Sequence, residues 1–94
     1  MSKLLTETEE GIRTLIFNRP EKKNAFDAEL WAMFRDELNL ASDDPEIYSV
    51  IVTGSANTFS SGVDLNSMMG DGGAEYEEPF ETCIDALINF KKPL

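Results

Sequence analysis

The 94-residue chain contains no histidine, so no Ser-His or Cys-His catalytic pair can be assembled from it. It contains one cysteine, Cys83, which excludes an internal disulfide and fits a reducing, intracellular setting such as peroxisome, mitochondrion or cytoplasm. Basic residues are scarce: 8 Lys and Arg stand against 18 Asp and Glu, a formal charge of −10. That balance gives no electrostatic footprint for nucleic acid or an anionic membrane, and neither is an expected partner. No apolar run approaches the roughly 20 residues needed to cross a bilayer. The opening MSKLLTETEE has no signal-peptide apolar core and is too acidic for a transit peptide.

What is present describes a globular piece. Apolar residues make up 41% and charged residues 28%, outside the disordered range. The length suits one small domain with a modest core. Residues 4–9 read as a short strand, Glu9-Glu10-Gly11 as a hairpin turn, and GIRTLIFN (11–18) as a strand apolar on both faces in its second half. Pro20 breaks that strand. Asp27 has the chemistry of an N-cap, and Leu30, Phe34, Leu38 and Ala41 recur at helical spacing, with Trp31 and Met33 widening the stripe. Residues 47–53, β-branched at their centre, predict a second strong strand. A short helix over 65–69 capped by Asp64 and a longer acidic-start helix over 74–90 complete the reading. Phe80, Ile84, Leu87 and Ile88 are the expected buried face of the latter. Cys83 is expected to be a buried small apolar group.

The order strand, helix, strand implies a parallel pair with a crossover. Pro93-Leu94 reads as entry into another strand. So few strands with one helix layer leave much apolar surface uncovered. The expectation is therefore an α/β piece, residues 1–94 forming the N-terminal part of a larger single domain.

The chemistry of interest lies in TFSSGVDL, residues 58–65, where a buried strand ends in small polar residues before a helix start. A phosphate-binding loop is one reading, but neither Gly-Lys-Ser/Thr nor G-x-G-x-x-G is present. A plain turn is the second, with Gly62 supplying a positive φ and Asp64 a cap. The acidic run Asp71, Glu75, Glu77, Glu78 and Glu81 reads as a solvated face, since catalytic carboxylates need pKa values raised by burial.

A third reading comes from resemblance. FNRPEKKNAFDAEL and SVIVTGSANTFSSGVDL resemble the N-R-P-x-K-x-N-A and V-x-T-G…F-S-x-G-x-D-L segments of the enoyl-CoA hydratase/isomerase (crotonase) superfamily. The closing NFKKPL resembles the segment before that family's next core strand. The similarity runs over nearly the whole chain but only about the first third of a family member. It implies a β/β/α spiral of the crotonase type, a single acyl-CoA-binding domain, and an enolate-like intermediate held by two backbone N–H groups.

By position in the motif, the N–H of Val63 resembles the first oxyanion donor. Gly62 would let the thioester come close to the backbone. Ser60 and Ser61 resemble loop residues lining the adenine or pantetheine groove, and Asp64 and Leu65 would cap and pack. Lys22, Lys23, Asn24 and Ala25 resemble the family's other ligand-contacting loop. The lysines would hold phosphate charge of coenzyme A by charge-assisted hydrogen bonds or else stand as solvated turn residues. Ala25 would let the thioester arm pass.

The family's glutamates and second oxyanion glycine lie later than these residues. The resemblance implies no cofactor beyond coenzyme A carried by the substrate, no metal, and trimers or hexamers for full-length members. It is greatest to Δ3,Δ2-enoyl-CoA isomerases of fatty-acid oxidation. Enoyl-CoA hydratase is the alternative, as is a truncated, non-catalytic acyl-CoA- or partner-binding remnant.

Overall fold

The computed structural model describes residues 2–56, 58–60, 62 and 73–94, with backbone alone for 73–76. Strand β1 (Leu4–Glu9) turns at Glu10 and Gly11, both at positive φ (50° and 82°), into the antiparallel β2 (Ile12–Phe17). A 3-10 turn over Pro20–Lys22 leads to helix α1 (Ala28–Asp43). Strand β3 (Ser49–Gly54) then returns parallel to β2, giving a sheet ordered β1-β2-β3. Helix α2 (Gly73–Ile88) packs against α1. The expected parallel pair is present, connected through α1.

Alternation along the strands decides which face is buried. Leu15 and Phe17 of β2 and Val50 of β3 face the helices and are almost fully buried. They meet Leu30, Phe34, Leu38 and Ala41, the stripe at helical spacing on α1. Phe17 makes edge-to-face contacts with Phe26 (4.7 Å) and Phe34 (5.3 Å). Arg13 lies on the same side of β2, nearer its start. Its guanidinium reaches Glu37 of α1 at 3.2 Å, so the charge ends at the rim of the core.

Two expectations change. β3 begins at Ser49, because Ile47 is buried in a turn with its N–H on the Asp44 carbonyl, and Tyr48 bonds to the Gly11 carbonyl. On α2 Cys83 is fully buried, as expected, flanked by buried Pro79, with Ala86 and Leu87, and Phe90 just past the helix end, packed against the core. Ile88, expected inside, is 74% exposed. The helix thus presents the face through 79, 83 and 86 to α1. Burial pushes the Cys83 thiol up to about 12, the nearby Arg35 charge only partly opposing it.

The chain's last residues lie along the open side of β3. The Pro93 carbonyl accepts the Val50 N–H at 3.0 Å, and Lys92 Nζ caps the end of α1 by donating to the Ala41 and Asp44 carbonyls, both at 2.5 Å.

Candidate functional site

Two loops meet at the ends of β2 and β3. The first, residues 18–27, is folded by an inward-facing arginine and a helix cap. Asp27 is in extended conformation and its Oδ1 accepts the Leu30 N–H at 2.9 Å, which starts α1. Its Oδ2 takes Lys3 Nζ at 2.7 Å and lies 3.7 Å from the Arg19 guanidinium. Arg19, 8% exposed, also donates to the Ala25 carbonyl at 2.6 Å. Partial burial pushes the Asp27 carboxyl up. The Lys3 hydrogen bond, the Leu30 N–H and the two positive charges outweigh it and leave the carboxyl below its usual range. Lys3 is held above its usual value, chiefly by that same bond to Asp27.

The second loop leaves β3 at Gly54 and turns back at once. The Ser55 N–H continues onto the Phe17 carbonyl, and the Thr58 N–H closes a turn on Ser55. A Cβ at Gly54 would run into the Thr58 carbonyl oxygen and lie 2.6 Å from Phe59 Cα, so only glycine admits this close return. The Ser60 hydroxyl donates to the Asn24 carbonyl (2.8 Å) and accepts the Gly62 N–H (3.1 Å). The Gly62 carbonyl accepts the Phe26 N–H at 2.8 Å, bridging the two loops. Gly62 has φ +105°, and no atom of the described residues lies within 4 Å of where its side chain would begin.

Beside Gly62 opens an apolar groove of about 750 Å³. Val52, Trp31, Phe59, Phe80, Leu87 and Leu94 line it together with Ser60 and Gly62. Trp31 packs on Phe26 (4.4 Å) and edge-on to Phe80 (5.1 Å), so aromatic faces form its wall. Among the described residues, no ionisable side chain lines it. A polar recess on the far side of α1, around Arg13, Asp36 and Asp43, lies away from both loops.

This arrangement has known counterparts. The family model for enoyl-CoA hydratase/isomerase matches residues 7–94. The chain belongs to that family. It is 35% identical to human "Enoyl-CoA delta isomerase 2" over 97% of its own length and 25% of that protein. It is 31% identical to zebrafish (Danio rerio) "Enoyl-CoA hydratase domain-containing protein 3, mitochondrial", over 89% of this chain and 29% of the relative. The crystal structure of an enoyl-CoA hydratase from Mycobacterium marinum superposes with a TM-score of 0.90 at 37% identity, over 99% of this chain and 46% of that one. The chain therefore spans from a quarter to just under half of these relatives, and its fold is the α/β arrangement of the enoyl-CoA hydratase/isomerase family over that span.

Within this family frame, the residues singled out in the sequence fall into three groups. Ser60 and Gly62 lie at the groove. Lys22 and Lys23 are exposed on the adjoining turn and do not line the groove. Lys23 is left-handed (φ 52°), with its N–H on the Pro20 carbonyl. Ala25 is 9% exposed and bonded through both its N–H, to Lys22, and its carbonyl, to Arg19. Ser61, Val63, Asp64 and Leu65 lie outside the described residues, as does the short helix expected over 65–69. Of the acidic run, Glu77, Glu78 and Glu81 are exposed, as a solvated face should be, and Glu78 sits 3.5 Å from Arg35; Asp71 and the Glu75 side chain lie outside the described residues. Among the described residues, no group of three or more His, Cys, Asp or Glu is placed to hold a metal ion.

Asn24, in the same loop as the two lysines, faces inward. It is 0% exposed, and its amide is used up within the protein. The sequence signal was its type: asparagine tolerates the left-handed backbone it adopts here, φ 57°.

Proposed function

We propose that these residues form the thioester-binding part of an acyl-CoA enzyme of fatty-acid oxidation, of the Δ3,Δ2-enoyl-CoA isomerase type. The chain is the N-terminal portion of one crotonase-type domain. The observation that carries the reading is the bond from the Phe26 N–H to the Gly62 carbonyl, with open space in front of Gly62 and an apolar groove beside it. In a trans peptide the N–H that follows a carbonyl points opposite to it. Anchoring that carbonyl on Phe26 is, in this reading, what aims the donor at position 63 away from Phe26 and toward a bound thioester oxygen.

The division of labour follows. The backbone donor stabilises negative charge as the thioester becomes an enolate, and one such preorganised donor contributes roughly 3–4 kcal/mol. Gly62 keeps the approach clear, and Ser60 holds the loop. The groove accepts the apolar part of the acyl arm, and Lys22 and Lys23 meet phosphate charge of coenzyme A. Ser61, Asp64 and Leu65 complete the loop, and Ala25 borders the thioester arm. Proton transfer falls to carboxylates contributed by other parts of the complete enzyme. Coenzyme A belongs to the substrate and no further cofactor is invoked. Family-type trimers or hexamers belong to the full-length protein. Delta isomerases of human and mouse, at 35% and 34% identity, are among the relatives and support the isomerase type; hydratase relatives at 31% and 37% identity keep water addition as the alternative.

Titration calorimetry of the chain with octanoyl-CoA, beside free coenzyme A, tests this. Saturable binding of the thioester, tighter than free coenzyme A, is expected. Equal affinities would remove the thioester reading, and no heat from either would remove the acyl-CoA reading.

A further inference from the structure

Asn24 uses every polar group it has. Its Oδ1 accepts the Arg19 N–H (2.7 Å) and the Ser55 hydroxyl (3.4 Å). Its Nδ2 donates to the Ser55 (3.1 Å) and Thr58 (2.6 Å) carbonyls. Its main-chain carbonyl takes the Ser60 hydroxyl, and its N–H bonds to the Arg19 carbonyl at 2.8 Å. Two residues on, the Phe26 N–H holds the Gly62 carbonyl. Residues 24 and 26 thus reach positions 55, 58, 60 and 62 in turn. Arg19 and Asp27 brace the same segment from behind, at the start of α1.

We propose that Asn24 is a positioning residue: its buried amide and carbonyl lock the lysine-bearing turn and the strand-exit loop into one unit, and so fix the Gly62 carbonyl and whatever ligand that loop faces. The ligand half of this statement rests on the acyl-CoA reading above; the lock does not. A buried asparagine serving only its own turn would bond within residues 19–26. Here three of the four side-chain bonds cross to the other loop, 31 or 34 residues away. Its left-handed backbone faces the amide across that gap, and both lysines immediately precede it.

The test uses Asn24→Asp, which keeps the shape and the acceptor but replaces the two donations by an oxygen facing two carbonyls. Asn24→Gly removes the amide while tolerating the positive φ, and serves if the aspartate variant does not fold. Leu38→Ala, in the core of α1 away from both loops, is the reference for general destabilisation. Amide hydrogen exchange is measured on the unliganded chain, and octanoyl-CoA affinity by calorimetry. In the Asn24 variants the Phe26, Ser55 and Thr58 amides should exchange at least tenfold faster, relative to α1 amides, than in Leu38→Ala. Octanoyl-CoA should bind at least tenfold more weakly than to Leu38→Ala. Loop exchange that rises no more than in Leu38→Ala overturns the lock whatever the ligand does. Accelerated loop exchange in a protein whose parent does not bind octanoyl-CoA upholds the lock and rejects the acyl-CoA reading instead.

Discussion

Replacing each of two loop glycines by alanine should fail for different reasons and by different amounts. At Gly54 the backbone φ is ordinary, but the new Cβ would meet the Thr58 carbonyl oxygen and lie 2.6 Å from both Phe59 Cα and its carbonyl oxygen. These are main-chain atoms, so relief requires moving the loop. Overpacking of this kind costs about 1–3 kcal/mol, and backbone neighbours place it toward 3. At Gly62 the Cβ would meet none of the described residues within 4 Å, and the cost is that of an L-residue at φ +105°, about 1–2 kcal/mol. With a urea slope of about 1.5 kcal/mol/M, the midpoint falls by about 2 M for Gly54→Ala and about 1 M for Gly62→Ala. The first is a large fraction of the roughly 5–14 kcal/mol available to a domain this size. Trp31, the single tryptophan, sits against Phe26 and Phe80 and reports unfolding by fluorescence. A Gly54→Ala midpoint equal to the parent's, or a larger loss at Gly62, would refute the steric account of how the strand-exit loop is built.

Gly62→Val should weaken octanoyl-CoA binding at least tenfold, beyond its effect on the urea midpoint, because its branched side chain fills the open approach; calorimetry beside a urea titration checks this. Lys22→Glu with Lys23→Glu should weaken coenzyme A binding at low salt, with the difference shrinking as salt screens it; unchanged affinity at low salt would leave the lysines as solvated turn residues. Asp27→Asn keeps a capping oxygen but removes the charge facing Lys3 and Arg19. Because the folded carboxyl titrates below its unfolded value of about 3.9, its contribution is present above that pH and lost as pH falls through the folded value. The parent's urea midpoint should therefore fall in acid more steeply than the variant's, the two converging as the pH drops past the folded carboxyl's own value. Cys83, buried and with its thiol pushed up to about 12, should react with a thiol reagent only after urea unfolds the chain.

Much of the architecture was legible because its causes are local. The cap at Asp27, the helical stripe of Leu30, Phe34, Leu38 and Ala41, and the alternation of β2 each express a short-range period that tertiary contacts reinforce. The parallel pair followed from a helix standing between two strands. What misled was orientation: α2 carries apolar residues on several sides over 80–88 (Phe80, Cys83, Ile84, Ala86, Leu87, Ile88), and only its contact with α1 leaves Ile88 outside. The two loops of the site were legible as loops, through Pro20, Gly54 and Gly62. Their joining by Asn24 was not, because its amide partners are 31 and 34 residues away and leave no periodic trace. Arg19 lies inside, while Lys22 and Lys23 stand outside, because the Ala25 carbonyl and the Asp27 carboxylate fold back onto its guanidinium, a pairing that residue type alone does not reveal.

In the proposed function, the backbone donor following Gly62 meets the thioester oxygen. Amide proton shifts of the 15N-labelled chain, titrated with octanoyl-CoA and with the S-octyl thioether of coenzyme A, which lacks the thioester carbonyl, test it. The account predicts a downfield shift of the Val63 amide with the thioester and none of comparable size with the thioether. Identical shifts with both ligands, or a Val63 amide unmoved at saturation, would contradict it.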